Sequence, residues 1–302
     1  MSLLVVGSVA LDTVETPFGK AEECLGGSAT YFSTAASFYT PVKLVAVVGE
    51  DFPQHHLDFL RGRQVDLAGL QVASGNTFRW SGYYEYDLST AHTRDTQLNV
   101  FASFHPVLPE GYGSCPFVFL ANIDPDLQME VLRQVNRPKL VALDTMNFWI
   151  ENKRESLTRA ISMVDLVVMN ESEAREFGGS PSLIKAARRI LSLGPRYLVI
   201  KKGEDGAVMI TTNGYSVAPA YPLEDVRDPT GAGDTFAGGL MGYLALCGEP
   251  SMSNLRMGMV HGSVLASFAV EDFSLERLKT LTHDQLRGRV EEVKSFNCFV
   301  EE

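Results

Sequence analysis

Asp228-Pro229-Thr230-Gly231-Ala232-Gly233-Asp234-Thr235-Phe236-Ala237-Gly238-Gly239 carries a turn directly into an apolar, Gly/Ala-rich stretch that runs to Leu246. Pro229 cannot donate to a strand ladder, and Gly231 and Gly233 leave the backbone free to turn tightly, so the stretch reads as a Gly-rich loop opening a buried helix. Such a loop presents unpaired amides and the positive end of the helix dipole, which suits an oxyanion or a phosphate. Asp234, in the first turn, would stand beside that anion and could take the proton of a hydroxyl attacking phosphorus. An isolated GxGD is equally well an Asp-capped helix, but here twelve consecutive residues suit one chemical purpose.

Upstream of this stretch, apolar runs rich in β-branched residues occupy 3–9, 43–48, 117–121, 139–144, 165–169, 197–201 and 207–211. Between several of them lie amphipathic segments of helical period at 127–135, 155–163 and 181–193. Continuous apolar strands alternating with helices predict an α/β fold, a three-layer Rossmann-like sandwich with a mostly parallel central sheet. The runs at 197–201 and 207–211 are joined by Gly203 to Gly206 and read as a hairpin. Beyond Asp228 the chain reads as three or four helical segments.

Two regions break this rhythm. Residues 12–25 are polar and turn-rich, and in 77–101 Phe78, Trp80, Tyr84 and Tyr86 alternate with Arg79, Ser81, Glu85 and Asp87. Alternation of period two predicts a sheet with one apolar face. No linker composition divides the chain, so 1–302 is expected to be a single domain with a small β-sheet lid formed from these two regions. The lid would cover a site, pair with a second copy to give a homodimer, or form an edge hairpin.

The net charge is −11, from 37 acidic against 26 basic residues, which disfavours nucleic acid and anionic membrane as partners. It does not disfavour a nucleotide held by backbone amides. Cys24, Cys115, Cys247 and Cys298 form no CxxC pair, and no run is long enough to span a bilayer. A cytoplasmic protein is the expectation. There is no GxxxxGK[ST] loop, no kinase HRD or DFG set, and no GxGxxG after the first strand, where the chain reads Gly7-Ser8-Val9-Ala10-Leu11-Asp12.

The segment from Asp228 to Gly239 resembles the C-terminal signature of the PfkB (ribokinase-like) carbohydrate kinase family, and further matches follow in that family's order. Gly7 to Asp12 resembles its first strand, which ends in an Asp that binds substrate hydroxyls. Gly26-Gly27 resembles its diglycine, Asn170-Glu171-Ser172-Glu173 its N-x-x-E motif, and Lys202-Gly203-Glu204-Asp205-Gly206 its nucleotide-side turn. The resemblance implies an ATP-dependent kinase of a small sugar. Asp234 would be the general base, with Gly231, Ala232 and Gly233 as anion hole and Asp12, Gly26 and Gly27 at the acceptor. Asn170, Glu173, Lys202, Gly203 and Gly206 would serve the nucleotide, with Glu173 acting on Mg²⁺ through water. Asp228 matches a ligand of the K⁺ that many members need, although the partner loop, Val270-Glu271-Asp272-Phe273-Ser274, lacks the glycine expected there.

Tyr31 stands where the family's first signature carries an Asn, and an aromatic ring beside the pocket could stack on a base. That opens a nucleoside kinase as the alternative, against simple packing of the ring. A non-catalytic metabolite sensor is a third reading, disfavoured by the presence of Asp234. Asp144 and Asn147 follow a strand end and face the expected crevice, with Asn147 the candidate substrate contact. Asn122 and Asp124 hold an equivalent position and are equally ordinary caps. His261, in an apolar helical stretch, is a candidate neighbour of the adenine, against the alternative of a core histidine.

Overall fold

Runs of four or five apolar residues, each buried along its length, build the centre of the protein. The computed structural model describes residues 1–296, so Cys298 and the last residues of the expected domain lie outside it. The strands are β1 (Leu3–Val6), β2 (Ala10–Thr16), β3 (Gly19–Gly26), β4 (Val42–Gly49), β5 (Val65–Ala73), β6 (Arg79–Tyr84), β7 (Ala91–Gln97), β8 (Phe117–Leu120), β9 (Leu140–Asp144), β10 (Leu166–Asn170), β11 (Tyr197–Lys201), β12 (Ala207–Thr211) and β13 (Gly214–Ala218). Nine of them form one sheet in the order β13-β12-β11-β10-β9-β8-β1-β4-β5. It is parallel from β11 to β5, and β12 and β13 are antiparallel.

Side chains of successive residues point to opposite faces, so each central strand feeds two cores. Leu3, Val5, Phe117 and Phe119 enter the core shared with helices Ser28–Ala36, Ala232–Cys247 and Met252–Ala269. Leu4, Val6, Val118 and Leu120 enter the core on the other face, with helices Arg154–Ile161 and Leu183–Leu191. Burying each such side chain stabilises by about 1.5–3 kcal/mol before chain entropy is subtracted. That two-sided demand is why these strands are continuously apolar.

The chain runs outward from β1 to β4 and β5, then returns to β8 on the other side of β1 and proceeds to β13. The reversal at β1 and β8 opens a crevice at the carboxyl ends of the strands. Helix Ala232–Cys247 lies deep against its neighbours because it carries glycines at the contacts. A Cβ on Gly239 would stand 2.9 Å from the Gly262 Cα, and one on Gly242 would stand 2.9 Å from the Ala36 Cα.

The remaining strands, β3-β2-β6-β7, make a second sheet, and β2 pairs with β6 in parallel. The two regions that broke the sequence rhythm are therefore joined. The expected single run 3–9 is two pieces: β1 ends at Val6, and Ser8 turns the chain by hydrogen bonding its hydroxyl to that of Ser28 at 3.1 Å. The alternation read over 78–87 holds only within β6. Trp80 lies over Gly82, where a Cβ would collide with the indole, and Tyr86 is past the strand end and 84% exposed. β5 and β13 carried no continuous apolar run because they are sheet edges with many exposed positions. No helix among the described residues is long and apolar enough to cross a membrane.

Candidate active site

Gly231 ends the loop before helix Ala232–Cys247 in the left-handed conformation, φ 74°, which turns the following amides toward the crevice. The Ala232 N–H is occupied by the Pro229 carbonyl at 3.2 Å and the Thr235 N–H by the Gly231 carbonyl at 2.8 Å. The Gly233 and Asp234 amides are the first-turn donors left for an anion. Asp234 sits among them, partly buried, and its pKa is pushed up to about 7 by burial and by Asp144, against the lowering effect of Lys201.

β9, β10 and β11 are neighbours in the sheet, and their carboxyl ends carry Asp144, Asn170 and Lys201. The Lys201 ammonium crosses the end of β10 to the Asp144 carboxylate, 2.9 Å away. It also stands 2.8 Å from the point a Cβ on Gly233 would occupy, directly against the loop. Burial alone would drive this ammonium toward neutrality, but Asp144, Glu173 and Asp234 together outweigh it and hold its pKa above the ordinary value. Asn170 and Glu173 form a reciprocal capping box: the Glu173 N–H donates to Asn170 Oδ1 at 2.8 Å, and the Asn170 N–H donates to Glu173 Oε2 at 2.7 Å. Burial raises the Glu173 pKa to about 7, with Lys201 opposing it.

On the other wall, Asp12 in β2 is 5% exposed and accepts the Gly27 N–H at 3.3 Å. Burial, with help from Asp228 and Asp234 and against the Gly27 amide, lifts its pKa to about 7. Gly26 faces it so closely that an added Cβ would fall 1.9 Å from Asp12 Oδ2. The second sheet rests on the loop through Tyr84, whose hydroxyl hydrogen bonds that of Thr230 at 3.2 Å, and through Thr16, which donates to the Arg227 carbonyl at 2.9 Å. Asp228 is buried. Its oxygens accept the Thr230 N–H at 2.9 Å and the Ser274 N–H at 3.2 Å, and burial raises its pKa. Ser274 takes φ 54° at the turn where a glycine was expected.

The structure settles several roles the sequence left open and draws other residues away from the cluster. Tyr31 is 1% exposed, and its ring lies so close to Gly231 that a Cβ there would strike it, so the loop uses the aromatic face and no base can stack on it. Lys202 turns outward to Asp205 at 3.2 Å and Glu171 at 3.6 Å, while its neighbour Lys201 enters the cluster. Asn147 donates its amide to Glu176 at 3.1 Å; the residue of that stretch in the cluster is Asp144. His261 sits between helices, bonded to the Tyr39 hydroxyl at 2.8 Å and stacked on Tyr243, and burial lowers its pKa to about 4. Asn122 accepts from the Trp149 indole, and Asp124 caps helix Pro125–Leu132. Gly203 and Gly206 shape the turn between β11 and β12, closed by the Lys202 N–H to the Gly206 carbonyl at 2.8 Å. Sequence reasoning passed over Lys201 and Tyr84. The signal for Lys201 was a lysine closing an otherwise apolar strand.

A family profile described as pfkB family carbohydrate kinase matches residues 126–274. A cytidine kinase of Thermococcus kodakarensis is 31% identical over 267 residues, covering 86% of this chain and 94% of the relative. Among solved structures, the nucleoside kinase of Methanocaldococcus jannaschii, an archaeal member of the ribokinase family, superposes with a TM-score of 0.76 at 20% identity, covering 96% of this chain and 98% of that one. Fructokinase from Vibrio cholerae O395, bound to fructose, ADP and calcium ion, gives a TM-score of 0.76 at 17% identity, covering 96% of this chain and 98% of that one. At these identities the two structural likenesses speak to fold alone.

Proposed function

The chain belongs to the pfkB family of carbohydrate kinases, whose acceptors are sugars and nucleosides, and from that premise we propose that it transfers the γ-phosphoryl group of ATP to a ribose hydroxyl of a nucleoside. The observation that carries the choice of acceptor is the 31% identity to a cytidine kinase over 86% of this chain. It replaces the argument from Tyr31, which is spent under the loop. Tyr84, whose hydroxyl bonds Thr230 and feels Asp12, Asp228 and Asp234, supports the same reading by bringing an aromatic ring to the site. A free sugar is the second reading, favoured by Asp12 as an acceptor-side carboxylate that suits vicinal hydroxyls.

In this reading Asp12 orients the acceptor and Asp234 accepts the proton of the attacking hydroxyl as its oxygen closes on phosphorus. The Gly233 and Asp234 amides receive the charge that grows on the transferring group, and because they are fixed in advance they cost no reorganisation. The family uses Mg²⁺ with ATP, which would neutralise phosphate charge. The residues present fit a hydrated ion. Among the described residues no three carboxylate, histidine or cysteine side chains converge to hold a metal directly. Glu173 uses one oxygen on the Asn170 amide, and its other oxygen can accept from a water of the ion's shell. Asp228, buried and holding together its own loop and the Ser274 turn through the Thr230 and Ser274 amides, fits a monovalent cation that would offset its charge.

The test is ADP release from Mg-ATP with cytidine, adenosine, inosine, ribose, fructose and fructose 6-phosphate, each in K⁺ and in Na⁺. Turnover confined to nucleosides is the expected result. Turnover of the sugars alone would replace this reading with the second one, and equal rates in K⁺ and Na⁺ would remove the cation from Asp228.

A further inference from the structure

Lys201 and Asp144 form an ion pair in a place where a purely structural pair has little reason to be. A buried pair is weak ground for stability, because desolvation cancels most of the attraction and an apolar pair of similar volume often does as well. This pair lies at the open carboxyl end of the sheet, with the Asp144 side chain 3% exposed and the Lys201 side chain 18% exposed, so the ammonium reaches the crevice. Its mount is rigid. The other Asp144 oxygen accepts the Thr145 N–H at 2.8 Å, and the Asp144 carbonyl accepts the buried Gln128 amide at 3.0 Å. The ammonium is packed against the Cα of Gly233, whose own N–H is one of the amides free to hold an anion. The charged groups facing it are Asp144, Glu173 and Asp234. One ammonium among carboxylates leaves the ligand-free cluster short of positive charge, and the arriving phosphoryl group makes that shortage worse. The chain has no phosphate-loop lysine to meet it.

Resting on the kinase reading above, we propose that Lys201 is a catalytic residue, its ammonium contacting the equatorial oxygens of the phosphoryl group in transit beside the Gly233 amide, and that Asp144 is its positioning residue. In the step, the acceptor oxygen forms a bond to the γ-phosphorus and the bond from that phosphorus to the β–γ bridging oxygen breaks. The acceptor proton passes to Asp234, and ADP leaves with the electron pair of the broken bond. Negative charge shifts onto the oxygens nearest Lys201 during this exchange and is dispersed again afterwards, so the ammonium holds the transition state more tightly than either ground state.

The experiment compares wild type with Lys201→Met, Lys201→Arg and Asp234→Asn. Turnover is measured with whichever of cytidine, adenosine, ribose or fructose the wild type phosphorylates fastest. Affinities are measured for ADP alone and for ADP with Mg²⁺ and aluminium fluoride, which mimics the phosphoryl group in transit. Lys201→Met should lower kcat about 10²–10³-fold. It should weaken the aluminium fluoride complex at least tenfold, with ADP affinity held within about threefold, and Lys201→Arg should recover part of both losses. Because Lys201→Met leaves Asp144 buried and unpaired, the double variant Lys201→Met/Asp144→Asn is measured alongside, and whichever of the two is folded decides. A folded variant with kcat within threefold of wild type, or one that loses ADP and the trapped complex equally, overturns the proposal. The kinase reading fails separately, if the wild type turns over none of these acceptors; an Asp234→Asn variant that still turns over removes only Asp234 as the base, whatever Lys201 does.

Discussion

Replacing Gly26 by Ala tests the acceptor wall with little disturbance elsewhere. The added carbon would fall 1.9 Å from Asp12 Oδ2, whereas a carbon–oxygen contact needs about 3.3 Å, so the carboxylate must retreat by about 1.4 Å. The backbone of Asp12 cannot follow, since β2 is paired with β3 through Cys24 and with β6 through Trp80. The side chain must rotate instead, giving up the Gly27 amide. Misplacing a positioning group by about 1 Å costs on the order of 10²-fold, so kcat/KM for the acceptor should fall at least that far. Gly26 is not among the glycines with positive φ, so the substitution brings only overpacking, about 1–3 kcal/mol, and a fall of a few degrees in Tm. Gly62→Ala, where nothing lies within 4 Å, is the matched control and should leave activity unchanged. Coupled ADP release gives the rates, and thermal unfolding shows that the variant is folded. A folded Gly26→Ala protein within threefold of wild-type kcat/KM would refute the placement of Asp12 at the acceptor.

Asp234→Asn should lower kcat by about 10²–10⁴-fold while ATP affinity by calorimetry stays near wild type. In wild type, kcat/KM should fall on the acid side with an apparent pKa near 7, because the base works only when ionised. The same carboxylates set a trend in stability. Asp12, Glu173 and Asp234 hold their protons more tightly folded than unfolded, so their contribution is full below about pH 4 and is lost as pH rises through about 7. The buried His56 and His261, with lowered pKa, contribute a constant amount above about pH 7. The ligand-free Tm should therefore fall from pH 7 to 8.5, with a shallower slope in Asp234→Asn; a Tm that rises over that window contradicts the assignment. Tyr84→Phe removes the bond to Thr230 and should raise acceptor KM by about two- to tenfold with kcat little changed, as read from initial rates.

How much of this was legible in the sequence depended on whether a residue's role is local. The loop from Asp228 to Asp234 carries its geometry in its own residue types, as do the capping box at Asn170 and Glu173 and the two-sided apolar strands. Lys201 was not legible as a site residue, because its partner Asp144 is supplied by a strand two places away in the sheet. For Tyr31 the sequence left stacking and packing both open, for the related reason that Gly231, far along the chain, folds down onto its ring. His261 and Lys202 were assigned by neighbourhood in sequence, and their partners, Tyr39 and Tyr243 for one and Glu171 and Asp205 for the other, drew them elsewhere. β2 and β3 resembled turns because one face of a small sheet needs no apolar residues. The lack of the expected glycine in Val270 to Ser274 was visible, but its outcome was not: Ser274 adopts the left-handed turn and gives its hydroxyl to the Leu25 carbonyl at 2.6 Å.

The second sheet meets the phosphoryl-transfer floor through a thin seam: Tyr84 to Thr230, Thr16 to Arg227, and Ser274 to Leu25. In the proposed reading, the groups assigned to the acceptor come from the chain's first third, and those assigned to the phosphates come from Asp144 onward. On that assignment, choice of acceptor and chemistry of transfer would be separate inheritable modules. A chimaera that takes residues 10–26 and 79–97 from a kinase of different taste, and keeps Thr16, Tyr84 and the seam's carbonyls, should exchange the menu without retuning the engine.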